Sequence, residues 1–461
     1  MGIQQKFVNR KDELAFLEEH YKSGKPELMI LYGRRRVGKT ELLSRFCKNK
    51  KGAVFYVGFE ANTKEQVGKF AEMAASALND GVFTSLKPDW ELMFEAIKKR
   101  KERTVVVIDE YPFIVNAEPT TSSRFLRIWE TILKDSSIFL VLCGSSVSMM
   151  EKETLAYKSP LYGRRTGQWL LKPFKFSVLK EFFPEKDWEE LVEIYSIAGG
   201  VPFYLQYFAG RTPREVMRDE LFSTGQVLHG DAEMLLKEEL REPVTYFTIL
   251  KSLSFGNTKL SEIANETGIV RTHLSKYLRV LQNLGLVTRE VSITEKNPQK
   301  SRLGLYFISD NYLRFWFKFV FPNGSEIETN REALIEGILG KNEFNSFVGA
   351  SFENACREVV KEYCIRNGMA LGKLGRWWDA KNEIDLIGIG KDAVLFVECK
   401  WSALSRQEAG RLLQELKKKA ETVKLNKEDS GGRKRFMIIA KSIEQKGMLA
   451  GDDDGSEIFL D

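Results

Sequence analysis

The feature that most constrains this chain of 461 residues is the octapeptide GRRRVGKT at residues 33–40. It follows the apolar run LMILY (Leu28–Tyr32) and precedes a helical pattern that begins ELLSRF. Its two glycines permit a backbone path that turns successive N–H groups inward at a helix N-terminus, where such groups bind phosphate. The lysine and threonine that end it are the residue types that contact the β- and γ-phosphates and Mg²⁺. The motif therefore predicts a strand, a phosphate-binding loop and a helix, with ATP or ADP and Mg²⁺ as ligands.

A second element of the predicted nucleotide site is the run TVVVIDE, which ends in Asp109 and Glu110. Its continuous apolar character is typical of a strand in a covered parallel sheet, and such sheets bind ligands at the carboxyl ends of their strands. We expect Asp109 and the Thr40 hydroxyl to hold Mg²⁺, Glu110 to act as general base toward the attacking water, and Lys39 to act on the phosphates. The residues expected to bind the nucleotide are Gly33, Arg34, Arg35, Arg36, Val37, Gly38, Lys39, Thr40 and Glu41.

Two further groups have open interpretations. Ser145 and Ser146 follow the apolar run IFLVLC, where a polar side chain either senses the γ-phosphate or belongs to a turn. Arg164 and Arg165, in SPLYGRRTG, either supply a catalytic cation, in cis or from a neighbouring subunit of a homo-oligomer, or serve as surface charge.

The arrangement of patterns predicts an α/β multidomain protein. Apolar runs at 28–32, 53–58, 104–108 and 138–143 alternate with helical patterns, as in a doubly wound parallel sheet. Residues 173–240 are helical in pattern and contain the punctuation GGVP. We divide the chain into a P-loop ATPase core (1–172), a helical lid subdomain (173–240), a winged helix (241–315), a connecting segment (316–344) and a further α/β domain (345–461).

Motifs spread over residues 5–240 resemble one family. FVNRKDEL, YGRRRVGKT, VVVIDEYP, LYGRRTG and GGVPFYL occur in the order found in the archaeal DEXX-box ATPases of the AAA-related and STAND branch of P-loop NTPases. The resemblance implies an ATPase core with a helical lid, and it implies that Asn9, Arg10 and Pro202 lie near the adenine. One departure is Ser145, where many members of the wider class carry asparagine.

The segment Thr258–Glu290 has the pattern of a helix-turn-helix. It predicts a first helix around Leu260–Asn265, a turn at Gly268 and a second helix over Arg271–Leu284, followed by two β-rich stretches that complete a winged helix. Between Arg271 and Arg302, seven Lys/Arg stand against two Glu. This local excess of positive charge favours double-stranded DNA over the alternative of protein docking. The expected DNA-binding residues are Arg271, His273, Lys276 and Arg279.

A third group of polar residues lies near the C-terminus. Asp385 sits in NEIDLIGIG, and the turn after that run predicts an antiparallel hairpin with AVLFVECKW, in which Glu398 and Lys400 share one face. A charged pair at the end of such an apolar run is either solvated or bound to a metal, and in the second case Asp385 would complete a carboxylate cradle for Mg²⁺. Glu353 lies on a preceding helical pattern, and Gln414, on a following one, could also face this site.

These residues resemble the PD-(D/E)xK nucleases, in the version fused to archaeal ATPases, over about residues 345–440. The resemblance implies a restriction-endonuclease-like domain in which Asp385 and Glu398 bind the metal, with help from the Cys399 carbonyl. It further implies that Lys400 activates water beside the scissile phosphate and that Glu353 is the acid of the first core helix. The position before Asp385 is isoleucine, where the family name has proline.

Global composition adds little about partners, because a formal charge of +6 is small for this length. The five cysteines have no CxxC spacing, which argues against a Cys/His zinc site. The absence of a signal-peptide pattern or a long apolar run predicts no membrane partner and a cytoplasmic location. Three functions stay open: an ATP-dependent DNA-cutting enzyme, an ATP-gated switch or scaffold with a non-cutting C-terminal domain, and an ATPase that acts on protein partners.

Overall fold

The computed structural model describes residues 7–240, 242–340, 342–425, 432–444, 446–452 and 457–460. These residues form two compact units. The first contains Phe7–Pro173 together with Val201–Phe203, and the second contains Phe174–Gly200 and the chain from Tyr204 onward.

The first unit is built around a parallel sheet with strand order β2-β3-β4-β1-β5. Strand β1 is buried at every position, which explains its unbroken apolar run. The predicted strands are confirmed to within a residue or two, whereas β5 was not predicted. The strands are β1 (Glu27–Tyr32), β2 (Val54–Val57), β3 (Val105–Asp109), β4 (Phe139–Gly144) and β5 (Gly167–Leu170).

Helices cover both faces of this sheet and leave the carboxyl ends of its central strands for the phosphate loop. Aromatic side chains such as Phe70, Trp90 and Phe125 form the core on one face. The residues Phe46, Phe139 and Leu171 belong to the core on the other face. The helices are α1 (Lys11–Lys22), α2 (Lys39–Cys47), α3 (Thr63–Leu78), α4 (Val82–Ser85), α5 (Trp90–Lys99), α6 (Tyr111–Ala117), α7 (Thr121–Thr131) and α8 (Val147–Met150).

The second unit begins with helices, as the helical pattern of residues 173–240 predicted. Segment 316–344, which we described as connecting, is itself largely helical, and Trp316, Phe317 and Phe319 are buried in it. The helices before the winged helix are α9 (Leu179–Phe182), α10 (Trp188–Ala198), α11 (Pro202–Leu205), whose first two residues belong to the first unit, α12 (Pro213–Val216) and α13 (Val227–Glu239).

The winged helix has the predicted elements. Gly268 ends the first helix of the motif in the left-handed conformation (φ 68°), which glycine adopts without a steric penalty. Leu274, Leu278 and Leu281 are buried on one face of the second helix. The elements are α14 (Pro243–Ser254), α15 (Leu260–Thr267), α16 (Arg271–Asn283) and the antiparallel pair β6 (Val287–Glu290) and β7 (Leu305–Ile308).

The C-terminal sheet has strand order β13-β12-β11-β10-β9-β8. The predicted hairpin is confirmed by the antiparallel pairing of β9 with β10. Strands β10 and β11 are parallel neighbours in the sheet, and α21 connects them along the chain. The elements that follow the winged helix are α17 (Asn311–Phe315), α18 (Gly324–Thr329), α19 (Arg331–Leu339), α20 (Asn342–Arg366), β8 (Leu371–Trp378), β9 (Glu383–Gly390), β10 (Ala393–Leu404), α21 (Arg406–Thr422), β11 (Arg433–Ile443), β12 (Lys446–Asp452) and β13 (Glu457–Leu460).

Among the described residues, every helix is too short or too polar to cross a membrane.

Candidate functional site

The phosphate loop joins β1 to α2. Gly33 cannot carry a side chain here, because an added Cβ would lie 2.3 Å from the Leu171 carbonyl oxygen. Gly38 has φ 92° and caps the N-terminus of α2. The Lys39 ammonium is buried over the loop, where the carbonyls of Gly33 and Arg34 accept hydrogen bonds at 2.8 and 3.0 Å. This arrangement places a cation beside inward-turned backbone at a helix N-terminus.

The two acidic residues at the end of β3 lie beside this loop. The Thr40 hydroxyl donates to Asp109 Oδ2 at 2.6 Å, so the hydroxyl lies directly beside a buried carboxylate. Glu110 follows with φ 50°, and its Oε2 accepts a hydrogen bond from the Ser145 hydroxyl at 2.8 Å. The geometry therefore brings together the loop, both acids and Ser145. From the sequence, Ser145 had two possible roles, a sensor of the γ-phosphate or a turn residue.

Two segments expected near the adenine contact the same loop. Arg10 donates to the carbonyls of Val37 and Lys172, both at 2.9 Å, and pairs with Glu13. The Pro202 ring lies 3.9 Å from the Cβ position of Gly38. The Arg36 guanidinium lies over the adjoining Phe203 ring, 4.0 Å from its centroid. Proximity of these segments to the phosphate loop is established, while their contact with adenine remains a prediction.

The arginine pair after β4 separates into two environments. Arg164 is exposed and pairs with Glu130. Arg165 donates from Nε to Gln168 at 2.5 Å. Burial and the charge of Glu151 raise the pKa of Tyr32, the residue directly before the phosphate loop, and the charge of Arg165 opposes that rise.

The proposed recognition helix α16 presents its basic residues to solvent. Arg271, His273, Lys276 and Arg279 are all exposed, as the pattern predicted. Tyr277, on the same helix, is half-buried, and its hydroxyl donates to Glu242 at 2.9 Å.

At the C-terminal site, strands β9 and β10 bring the predicted residues together. Asp385 Oδ2 accepts a hydrogen bond from the Cys399 backbone N–H at 2.7 Å. Glu398 is buried and lies between two ammonium groups, those of Lys400 at 2.9 Å and Lys419 at 3.3 Å. Lys419 comes from α21, and sequence analysis missed it because it stands in an ordinary run of three lysines.

Glu353 of α20 is also at this site, but its nearest partner is a residue that the sequence did not indicate. The Arg376 guanidinium, on β8, pairs with Glu353 and with Glu383 at 3.0 Å. Burial, opposed by the charge of Arg376 and assisted by that of Asp385, raises the pKa of Glu353 to about 7 overall. Burial and the charge of Glu398 raise the pKa of Asp385 to about 6.

The charges at this site limit how it could hold a metal. Within the described residues, no group of three His, Cys, Asp or Glu side chains is positioned to hold an ion. A metal here would depend on Asp385 and Glu398 with a backbone carbonyl. Gln414, from α21, has no described hydrogen bond that links it to these carboxylates.

Known families match successive parts of the chain. Residues 7–208 match an ATPase domain predominantly from Archaea. Residues 247–289 match the bacterial regulatory proteins of the arsR family, a helix-turn-helix group, and residues 316–412 match archaeal and bacterial proteins of unknown function.

A solved structure supports the fold over about two thirds of the chain. The Walker-type ATPase PABY2304 of Pyrococcus abyssi has a TM-score of 0.52 at 20% identity, covering 68% of this chain and 97% of that one. The Aeropyrum pernix ORC2 protein has a TM-score of 0.46 at 12% identity over 74% of this chain and 98% of its own, too weak a likeness to support an argument.

A full-length relative shows the family. The uncharacterized protein MJECL04 of Methanocaldococcus jannaschii is 36% identical over 448 residues, which cover 95% of this chain and 97% of the relative. The N-terminal match and the parallel sheet establish a P-loop ATPase domain, followed by a region of the helix-turn-helix type. The chain therefore belongs to the same protein family as MJECL04, a family of archaeal ATPase-domain proteins.

Proposed function

We propose that this protein binds and hydrolyses ATP and acts on double-stranded DNA, which its C-terminal site cuts. The ATP step rests on one observation above the others: the Thr40 hydroxyl and the Asp109 carboxylate meet at 2.6 Å beside the Lys39 ammonium. These oxygen donors are of the type that Mg²⁺ prefers, and Mg²⁺ bound there would supply charge neutralisation to the phosphates.

The chain's own groups account for the rest of the step. Backbone N–H groups of residues 34–40 and the Lys39 ammonium bind and orient the phosphates. Glu110 accepts the proton of the attacking water, and the Ser145 hydroxyl holds the Glu110 carboxylate in position through its 2.8 Å hydrogen bond. Arg165 supplies the additional cation in preference to Arg164, which is paired with Glu130.

Replacing Glu110 by glutamine tests the ATP proposal. Glu110→Gln keeps the shape of the side chain and loses the base, so we expect ATP to bind within about twofold of wild type while turnover falls by about 10²–10⁴-fold. Glu95→Gln, an exposed change on α5, is the matched control and should leave both unchanged. ATP turnover by Glu110→Gln at the wild-type rate would contradict the assignment.

The proposed cutting activity is supported by the local geometry of the C-terminal sheet. The proposal is supported by the charges of Glu353, Asp385 and Glu398, all of which act on Lys400, and by the order α20, β8, β9, β10, α21, β11 of the elements around them. Burial lowers the pKa of Lys400, but the 2.9 Å contact of its ammonium with Glu398 Oε1 and the charge of Glu398 raise that pKa overall. A lysine that stays charged can stabilise negative charge as it develops on a scissile phosphate.

Incubation of supercoiled plasmid with the full chain and Mg²⁺ or Mn²⁺, with and without ATP, tests this activity. We expect wild type to nick or linearise the plasmid, Lys400→Ala to lose at least about 10²-fold of that activity, and the exposed hairpin variant Lys391→Ala to behave as wild type. Intact plasmid under all conditions would favour the alternative, an ATP-gated switch whose C-terminal domain does not cut.

A further inference from the structure

The second unit contains a cavity of about 600 Å³ that adjoins the C-terminal carboxylates. One wall comes from the winged helix, including Phe255, Glu290 and Phe307. A second part of the lining comes from α17, the segment after it and α20, with Arg314, Phe347 and Arg357. Glu353, Arg376 and Asp385 also line the cavity. The volume lies within the range of about 300–1,000 Å³ that small-molecule sites occupy.

The winged helix is fixed to the C-terminal domain at this cavity. Ile293, just after β6, donates its backbone N–H to the Arg376 carbonyl at 2.9 Å, and its side chain packs on the core of the C-terminal sheet. Arg357 of α20 pairs with Glu290 of β6 at 3.1 Å. These contacts join the winged helix to the C-terminal domain beside the cavity.

The basic side chains that line the cavity differ in whether they have a carboxylate partner. Lys318 pairs with Glu343 at 2.8 Å, Arg357 pairs with Glu290, and Arg376 pairs with Glu353. Arg314 differs, because within the described residues no carboxylate lies at ion-pair distance from it; it donates instead to the Phe347 carbonyl and the Ser351 hydroxyl. Its guanidinium lies over the Phe347 ring, 4.1 Å from the centroid.

Two buried side-chain N–H groups that belong to residues lining the cavity lack hydrogen-bond acceptors among the described residues. Among the described atoms, neither Nε of Arg314 nor Nε of Arg357 has a hydrogen-bond partner. A buried donor without a partner destabilises a protein, so such groups usually have an acceptor in the functional state. A phosphate oxygen is a suitable acceptor, because guanidinium and phosphate form charge-assisted hydrogen bonds.

We propose that the cavity binds one unpaired nucleotide of a DNA strand, with its phosphate at Arg314 and Arg357 and its base against Phe255 and Phe307. Aromatic rings and arginines together are the usual means of binding single strands, whereas a duplex, whose major groove alone is about 12 Å wide, does not enter a cavity of this size. The phosphate is assigned to Arg314 because, unlike Lys318, Arg357 and Arg376, Arg314 makes no ion pair with a carboxylate of the described residues. This inference rests on the proposed action on DNA and names the strand state at that site.

Binding of fluorescent oligo(dT) to the full chain in EDTA, followed by anisotropy, tests the proposal without cutting. We expect Arg314→Gln and Arg357→Gln to weaken single-strand binding by at least about tenfold, equal to one or two lost charge-assisted hydrogen bonds. Arg366→Gln, exposed on the same helix as Arg357, is the control and should bind as wild type. Duplex binding, assigned to α16, should be unchanged in all of them.

Photocrosslinking uses wild-type protein, so its result does not depend on whether a variant folds. Oligo(dT) containing 4-thiothymidine should crosslink in wild-type protein to the peptides that carry Phe255 or Phe307. Crosslinks confined to Arg271–Asn283, or equal losses of single-strand and duplex binding in Arg314→Gln, would overturn the proposal. Displacement of the oligonucleotide by equimolar thymidine monophosphate would also overturn it, in favour of a free nucleotide.

The outcome is separable from that of the cutting assay. If the arginine variants lose single-strand binding while wild type leaves plasmid intact with Mn²⁺, the cavity assignment stands and the cutting proposal fails. If plasmid is cut and oligo(dT) binding is unaffected by the arginine variants, the reverse holds.

Discussion

At the phosphate loop, the backbone can follow its path only because residue 33 is glycine and has no side chain. A Cβ on residue 33 would lie 2.3 Å from the Leu171 carbonyl oxygen, a backbone atom that cannot move aside cheaply. We therefore expect Gly33→Ala to weaken ATP binding by at least about tenfold and to lower the melting temperature, since overpacking costs about 1–3 kcal/mol.

Gly68→Ala provides the matched glycine control. Gly68 lies within α3, and an added Cβ there meets no atom within 4 Å. Alanine should stabilise that helix by about 0.5–1 kcal/mol. Equal melting temperatures and ATP affinities for Gly33→Ala and wild type would contradict the geometry of the loop.

The raised pKa of Glu353 leads to a pH dependence of stability. Folding raises this pKa from 4.5 to about 7, mainly through burial, so the folded state favours the protonated carboxyl. That stabilisation is fully present below the unfolded pKa and is lost as pH rises through about 7. Relative to Glu353→Gln, wild type should lose about 1–3 kcal/mol of unfolding free energy between about pH 4.5 and 8.

Urea denaturation across this range, with Glu362→Gln on the exposed side of α20 as control, provides the measurement. The control should follow the wild-type profile. Parallel pH profiles for wild type and Glu353→Gln would show that Glu353 titrates at its ordinary pKa in the folded protein.

Among the elements, α16 carries the prediction for duplex DNA. Arg271, Lys276 and Arg279 are exposed on it, as phosphate contacts require. Replacing all three by alanine should weaken duplex binding and reduce the slope of log affinity against log salt by about 2–3. Removing Lys48, Lys51 and Lys64, exposed in the first unit, takes away the same charge and should leave the slope unchanged. Equal slopes for the α16 variant and wild type would favour protein docking.

Elements with a strong local signal could be predicted from sequence, and those defined by distant contacts could not. The runs that became β1, β3 and β4 are buried on both faces, so their composition alone indicates them. Strand β5 has alternating half-buried and exposed residues over four positions, too short a pattern to separate from a loop. It is defined instead by its pairing with β1.

The same distinction applies to the candidate sites. Motif spacing located Lys39, Thr40 and Asp109, although Thr40 and Asp109 are 69 residues apart. No local pattern distinguishes Arg376 or Lys419 from ordinary surface cations. Their importance lies in their pairing with Glu353 and Glu398, 23 and 21 residues away along the chain, and sequence spacing alone does not reveal such pairs.

On the scale of the whole molecule, the chain joins an ATPase domain to a helix-turn-helix region and a C-terminal sheet with a carboxylate and lysine site. The relative MJECL04 covers the chain almost end to end, so this order of parts belongs to the family. The ATPase activity that we propose for the molecule depends on nucleotide binding at the loop between β1 and α2.

Binding of a fluorescent ATP analogue to wild type, Lys39→Ala and Lys48→Ala tests that dependence most directly. Lys39 is buried against the loop carbonyls, whereas Lys48 is exposed at the other end of the same helix. We predict saturable binding by wild type and Lys48→Ala, and affinity at least about 10²-fold weaker for Lys39→Ala, as expected for loss of a buried cation–phosphate contact. Equal affinity of Lys39→Ala and wild type would contradict the account.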